Sequence, residues 1–294
     1  MTRLLVTGGS GLLGSTVARQ GAERYNTVTT TYLTRSVDYA GVDCRRVDLT
    51  DEAAVAALAK FAPDYVVHCA AMTDVDQCER KPETAERYNV GMAENVAKLA
   101  AETDARMIHL STDAVFDGEE GNYTVENEPD PVNVYGRTKL DAESIVQQVH
   151  EEVVIVRTNF YGWNMTSGQS LAEWVLSKLR AGETVPAFED AYFTPIYTED
   201  LTTYLFELLE KEFNGTLHIP GRERCNKLDF ARVIADVFDL DSSLVNPSLI
   251  SDVDFEAPRG RDLSLSPERT EQLLETAVPT LKRGLEEMRR NENE

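Results

Sequence analysis

Tyr135 and Lys139 stand four residues apart in Tyr135-Gly136-Arg137-Thr138-Lys139, the interval at which two side chains share one face of a helix. A phenol with a pKa near 10 is a poor acid–base catalyst at neutral pH, and an ammonium beside it favours the phenolate and lowers that pKa. The pair therefore suits proton transfer to or from an oxygen. Upstream, His109-Leu110-Ser111-Thr112-Asp113 closes an apolar run and carries the Thr112 hydroxyl to its end. A second group lies at the N-terminus, where Thr7-Gly8-Gly9-Ser10-Gly11-Leu12-Leu13-Gly14 follows one apolar run and opens an amphipathic one. Gly8 permits a tight turn, Gly11 lets the backbone approach a pyrophosphate, and Gly14 lets a helix sit close on the strand. The helix N-terminus adds unpaired N–H groups and roughly half a positive charge. Gly8, Gly11, Leu12, Leu13 and Gly14 thus form a candidate dinucleotide cradle.

The cradle matters because the rest of the chain repels anions. Its 294 residues hold 51 Asp and Glu against 29 Lys and Arg, a formal net charge of -22. That balance excludes a general affinity for nucleic acid or anionic membranes. Only eight of the basic residues are lysine. An acid-rich, lysine-poor composition is expected in a salt-rich cytoplasm, where salt screens repulsion over roughly 3 Å at about 1 M. Cys44, Cys69, Cys78 and Cys225 form no Cys-x-x-Cys pair, and the N-terminus shows no basic-then-apolar signal segment. With no apolar run near the roughly 20 residues of a membrane span, a reduced cytoplasmic protein is expected. His68, His109, His150 and His218 lack metal-ligand spacing and read as satisfied structural histidines, so no metal is expected.

Runs rich in β-branched residues at 3–7, 27–33, 44–47, 64–70, 106–111 and 153–158 alternate with helical patterns at 12–24, 51–60, 82–102 and 134–149. Alternation of this kind predicts an α/β fold, a Rossmann-type doubly wound parallel sheet over residues 1–162. Beyond Gly162, helices near 169–181, 200–212, 227–238, 267–276 and 279–290 interleave with strands near 184–188 and 215–219. These predict a smaller C-terminal α/β substrate lobe, 163–294, over the carboxyl edge of the sheet, with chain segments crossing between the two.

The Gly-x-x-Gly-x-x-Gly spacing of the cradle resembles the extended short-chain dehydrogenase/reductase superfamily over about residues 2–162. The resemblance implies an NAD(P)-dependent oxidoreductase in which Thr112, Tyr135 and Lys139 match the active-site hydroxyl, tyrosine and lysine. Thr112 would hydrogen-bond a developing oxyanion, Tyr135 deliver a proton, and Lys139 keep Tyr135 reactive and reach the nicotinamide ribose. It also implies adenine contacts at Asp48 and Leu49, cofactor packing against Cys69, Ala70 and Ala71, and a role for Asn89 in placing the lysine. Members that use NAD close the second strand with an acid. Here that segment reads Thr31-Tyr32-Leu33-Thr34-Arg35. Arg35 is either a partner for a 2′-phosphate or a solvated loop charge, and NADP(H) is favoured over NAD(H).

Within the superfamily, the run from Ser111 to Gly118 and that from Pro131 to Lys139 are similar to dTDP-4-dehydrorhamnose reductases. The related 4,6-dehydratases carry Thr-Asp-Glu, and Ala114 occupies the place of their extra acid, which disfavours dehydration. Arg259-Gly260-Arg261-Asp262-Leu263-Ser264-Leu265 resembles the reductases' Arg-Pro-Arg-Asp-x-Ser-Leu, which implies that Arg259 and Arg261 bind a substrate diphosphate. Asp113, Ala114 and Asn159 are the remaining candidates for substrate contact. The segment Arg157-Thr158-Asn159-Phe160-Tyr161-Gly162 is a residue shorter than the family's Arg-Thr-Ser-Trp-Val-Tyr-Gly. Trp163 or Tyr192 could supply the missing aromatic face, or either could be core. The implied activity is reduction of a nucleotide-linked 4-keto-6-deoxy sugar. Two alternatives stand beside it: a nucleotide-sugar epimerase that retains NAD, and a non-catalytic NADP-binding subunit resembling the methionine adenosyltransferase β-subunits. Homodimerisation is left open.

Overall fold

The computed structural model describes residues 1–166 and 168–293. Its centre is a sheet of seven strands: β1 (Arg3–Thr7), β2 (Thr27–Tyr32), β3 (Val42–Arg46), β4 (Tyr65–His68), β5 (Arg106–Leu110), β6 (Val153–Arg157) and β7 (Gly215–His218). All pairings are parallel, and the spatial order is β7-β6-β5-β4-β1-β2-β3. Because helices cover both faces, the middle strands are apolar on both sides, and every residue of Val153-Val154-Ile155-Val156-Arg157 is buried. Alternate residues of β1 go to opposite cores. Leu4 and Val6 pack with Val17 and Ala18 of α1 (Leu12–Arg24) and with Leu201 and Leu205 of the helix Thr198–Leu209. Leu5 packs on the other face with Val96 of the helix Met92–Thr103 and Val146 of the helix Val134–Val149. Strand order reverses between β1 and β4, so the loops leaving these strands diverge and open a crevice at the carboxyl edge.

The second lobe has its own core, in which Val175, Leu176, Phe230, Ile234 and Leu285 come from the helices Leu171–Arg180, Lys227–Val237 and Leu281–Arg290. A parallel pair, Val185–Phe188 with Val245–Ser248, completes it. The strand expected near 215–219 does not join this lobe. As β7 it extends the central sheet, Leu217 pairing with Val156, and the helix before it covers the same sheet face as α1. The physical reason is burial, since Leu217 and Ile219 complete the apolar cover beside β6.

The helix expected over 82–102 is interrupted. Pro82 starts a new helix after Val75–Arg80, and a π-helical turn at Arg87–Gly91 separates Pro82–Glu86 from Met92–Thr103. Among the described residues no helix is long and apolar enough to cross a membrane.

Candidate active site

The crevice is a cleft of about 590 Å³ whose wall includes Gly8, Gly11, Leu12, Leu13, Gly14, Arg35, Leu49, Cys69, Ala70, Ala71, Thr112, Tyr135 and Asn159. The glycine loop is shaped by contacts that leave no room for side chains. A Cβ on Gly14 would stand 2.2 Å from the Gly8 carbonyl oxygen, and Gly8, at φ 76°, lies against the Ala70 backbone nitrogen, where its Cβ would be 2.8 Å away. The N-terminus of α1 has Gly11 as cap, no side-chain cap and no acid in its first turn. Its N–H groups are thus left for an anion. Within the described lining Arg35 is the one charged side chain and no carboxylate appears, although the chain as a whole carries a charge of -22. The cleft fits an anionic dinucleotide on these grounds alone.

The helix Val134–Val149 delivers Tyr135. Its cap is Asn133, whose side chain accepts from the Gly136 N–H at 2.8 Å and donates to the Pro258 carbonyl at 3.0 Å. Gly136 lets this turn rest on the loop after β5, since a Cβ there would meet the Ala114 carbonyl oxygen at 2.1 Å. Thr112 caps that loop by accepting from the Ala114 N–H at 3.1 Å. Tyr135 is half-buried on the cleft wall. Burial raises the phenol above its ordinary value, the Thr112 hydroxyl opposes that rise, and the charge of Asp113 adds to it.

Lys139 departs from expectation. It is 3% exposed and lies behind the wall. Its Nζ donates to the Leu110 carbonyl at 2.7 Å and sits 3.4 Å from His109 Nε2. Among the described residues it makes no hydrogen bond to Tyr135, and it does not set the phenol's pKa here. The end of β5 captures the ammonium first. Burial pulls Lys139 down to about 8, with Glu143 the leading opposing charge. Glu143 itself is locked by Arg157, which donates to its two oxygens at 2.9 and 2.7 Å. Ser111 donates to the same carboxylate, so a buried pair, side chains 6% and 5% exposed, underlies the residue next to Thr112.

Three expected coenzyme or substrate contacts lie off the cleft wall. Asn89, 1% exposed in the π turn, donates to Thr138 Oγ1 at 2.9 Å and accepts from the Met72 N–H at 2.7 Å. It thus braces the turn before Lys139. Asp48 spends its carboxylate on the Thr50 amide and hydroxyl at 2.9 and 2.8 Å, bonds that hold it below its usual pKa. Ala114 is packed under Gly136. The cleft also includes Ser10 of the glycine loop, together with Thr73, Tyr88, Asn164, Gln169 and Ser170, which no motif had marked.

A second cleft, about 1090 Å³, opens between the lobes' loops and includes Arg259 and Arg261 together with Tyr192, Arg224 and Arg232. The arginines do not stand alone there. Asp117, Glu119, Glu189, Asp190, Asp229 and Asp262 share its described lining. Arg259 pairs with Asp76 at 2.9 Å, and Arg224 pairs with Asp262 at 2.6 Å while stacking 3.7 Å above the Tyr192 ring. Of the two candidate aromatics, Tyr192 faces this cleft, whereas Trp163 packs on Phe238 and donates to the Met288 carbonyl at 2.7 Å. Asp113 stands near the first cleft, its carboxylate accepting from Asn159 at 2.7 Å and Thr112 at 3.1 Å. Burial raises its pKa against these bonds and against Lys227.

The histidines are less satisfied than their pattern suggested. His150 is paired with the Ala105 carbonyl at 2.8 Å, but His68 Nε2, His109 Nδ1 and His218 Nε2 are buried without partners. Among the described residues no His, Cys, Asp and Glu group could hold a metal.

A nucleotide cradle and a proton-bearing phenol in one crevice place the protein among the NAD(P)-dependent oxidoreductases of the extended short-chain dehydrogenase type. The chain belongs to the family described as RmlD substrate binding domain, whose model matches residues 1–293. It is 37% identical over 287 residues to the probable low-salt glycan biosynthesis reductase Agl14 of Haloferax volcanii, covering 95% of each chain. It is 34% identical to the methionine adenosyltransferase 2 subunit beta of Xenopus laevis, over 83% of this chain and 75% of that one. A crystal structure of dTDP-4-dehydrorhamnose reductase from Bacillus anthracis in complex with NADP superposes with a TM-score of 0.86 at 26% identity, over 98% of this chain and 99% of that one.

Proposed function

We propose that the protein is an NADP(H)-dependent reductase of a nucleotide-linked 4-keto-6-deoxy sugar. The observation that carries this reading is that Tyr135 and Thr112 line the same cleft as the glycine cradle. Gly8 to Gly14 and the N-terminus of α1 would hold the coenzyme's pyrophosphate, and Arg35 its 2′-phosphate. The absence of a carboxylate from the described lining favours NADP(H) over NAD(H). When bound, the nicotinamide supplies hydride to a carbonyl. The chain's own part is proton and charge handling. Thr112 Oγ1 exchanges its hydrogen bond to Asp113 for one to the oxygen on which charge develops, and the Tyr135 hydroxyl gives up its proton to that oxygen. Burial raises the Tyr135 phenol above its ordinary value, so it rests protonated before it donates. Lys139, held on the Leu110 carbonyl behind the wall, would lend its positive charge to the site from there. All four cysteines are free, in keeping with a reducing cytoplasm.

A coenzyme-oxidation screen in molar salt tests this: dTDP-4-keto-6-deoxy sugars should oxidise NADPH stoichiometrically, and Tyr135→Phe should not support it. If neither coenzyme is oxidised, the reading fails. The likeness to the methionine adenosyltransferase β-subunit favours a second reading, a non-catalytic NADP-binding subunit, which predicts NADPH binding without turnover.

A further inference from the structure

The Lys139 ammonium stands against a polar row laid across three neighbouring strands. Thr7 of β1 is opposite His68 of β4, and His68 is opposite His109 of β5. Thr7, His68, His109 and Lys139 are each 3% exposed or less. Thr7 Oγ1 lies 2.7 Å from His68 Nδ1, the two imidazoles stack with centres 5.3 Å apart, and His109 Nε2 faces Lys139 Nζ at 3.4 Å. Glu143, one helical turn beyond Lys139, is spent on Arg157 and Ser111. Among the described residues it makes no hydrogen bond and no ion pair with Lys139.

An ammonium has three donors and no acceptor. His109 Nε2 can therefore meet it only with its lone pair, which puts the ring proton on Nδ1, an atom buried without a partner. A second proton would set an imidazolium beside the ammonium, and burial together with the charge of Lys139 holds His109 well below its ordinary pKa. The ring is thus neutral. Its stranded Nδ1–H makes His109 a poor choice for packing alone. What it offers instead is an acceptor, since an ammonium donor left unbonded in so dry a layer is costly. Among the described residues the Leu110 carbonyl, at 2.7 Å, and His109 Nε2 are the two acceptors that Lys139 has.

The geometry points to His109 as a positioning residue, a neutral acceptor that holds Lys139 at the end of β5 in its charged form, behind the wall that carries Tyr135 and Thr112. The inference deepens the reductase reading above and rests on it for the use made of that charge. The titratable groups that reach Lys139 are Glu143 on its own helix, Cys69 after β4, His68 on β4 and His109 on β5. Of these, His109 is the one hydrogen-bonded to it among the described residues.

Lysine labelled with 13C at Cε reads the charge on Lys139 in the full chain in molar KCl, the signal being assigned by its loss in Lys139→Arg. The wild-type midpoint should lie at about 8. His109→Leu should lower it by about one to two pH units, the roughly tenfold to hundredfold loss expected when an ion gives up a hydrogen bond. His109→Gln carries an amide oxygen that can accept in place of Nε2 and should bring the midpoint back to within about half a unit of wild type. The alkaline limb of NADPH consumption should move with the midpoint in both variants. If leucine prevents folding, the wild type decides by itself, because the 15N shifts of His109 must show a proton on Nδ1 and none on Nε2. A proton on Nε2, an unmoved midpoint in His109→Leu, or an equal fall in His109→Leu and His109→Gln would each overturn the role of His109. A wild type that consumes no NADPH with keto sugars overturns the reductase reading instead, since the Lys139 midpoint is read without coenzyme or turnover.

Discussion

Replacing Arg35 by alanine should separate the two dinucleotides. Arg35 is the one charged side chain in the described lining of the coenzyme cleft, where Thr31, Tyr32 and Leu33 of the same segment carry no carboxylate. A hydrogen bond to an ionised group contributes about 1.5–3 kcal/mol. At 1.36 kcal/mol for each factor of ten, the loss becomes a rise of roughly 10- to 150-fold in the Kd for NADPH. NADH has no 2′-phosphate, and its Kd should change by less than about twofold. Fluorescence titration in molar KCl is the suitable assay, because at about 1 M salt screens beyond roughly 3 Å and leaves the direct contact as the main difference. Arg35→Lys keeps the charge without the forked donors and should fall between the two. Unchanged NADPH binding, or an equal loss for both coenzymes, would show that the 2′-phosphate is not held here.

Gly14→Ala would place a methyl 2.2 Å from the Gly8 carbonyl oxygen; overpacking of this kind costs about 1–3 kcal/mol, so coenzyme affinity and Tm should both drop, and wild-type values would refute the close packing. The buried histidines predict acid sensitivity. Burial lowers His68 and His218 to about 3 and His109 well below its ordinary value. Between pH 6.5 and about 3 the unfolded chain therefore binds protons that the folded chain refuses, and stability falls as pH falls, by up to about 4 kcal/mol per pH unit for three such groups. Asp200, pushed up to about 6 by burial, takes a proton first in the folded state and offsets part of this. Urea midpoints that stay level or rise from pH 6.5 to pH 5 would contradict the sign. The charge of -22 predicts a Tm that rises from dilute buffer to molar salt, and a Tm indifferent to salt would refute it.

What was legible in the sequence was local. Strand, glycine turn and helix at Thr7 to Gly14 are consecutive, so their geometry follows from neighbouring residues, and the helix Val134–Val149 shows in its own pattern and in the Tyr135-to-Lys139 interval. Long-range placement was not legible. The two apolar residues Leu217 and Ile219 do not say which sheet they complete, and only the open hydrogen-bonding edge of β6 decides it. Lys139 was paired with Tyr135 by spacing, but the Leu110 carbonyl, brought in by β5, holds it.

Net hydride delivery to a sugar carbonyl is tested most directly by isotope. With NADPH deuterated at nicotinamide C4 on the transferred face and a dTDP-4-keto-6-deoxyhexose as acceptor, the product should gain deuterium at sugar C4, read by mass spectrometry and NMR. Tyr135→Phe should slow that transfer by about 10²- to 10⁴-fold while NADPH still binds. A product free of coenzyme-derived deuterium, or undiminished transfer by Tyr135→Phe, would contradict the assignment.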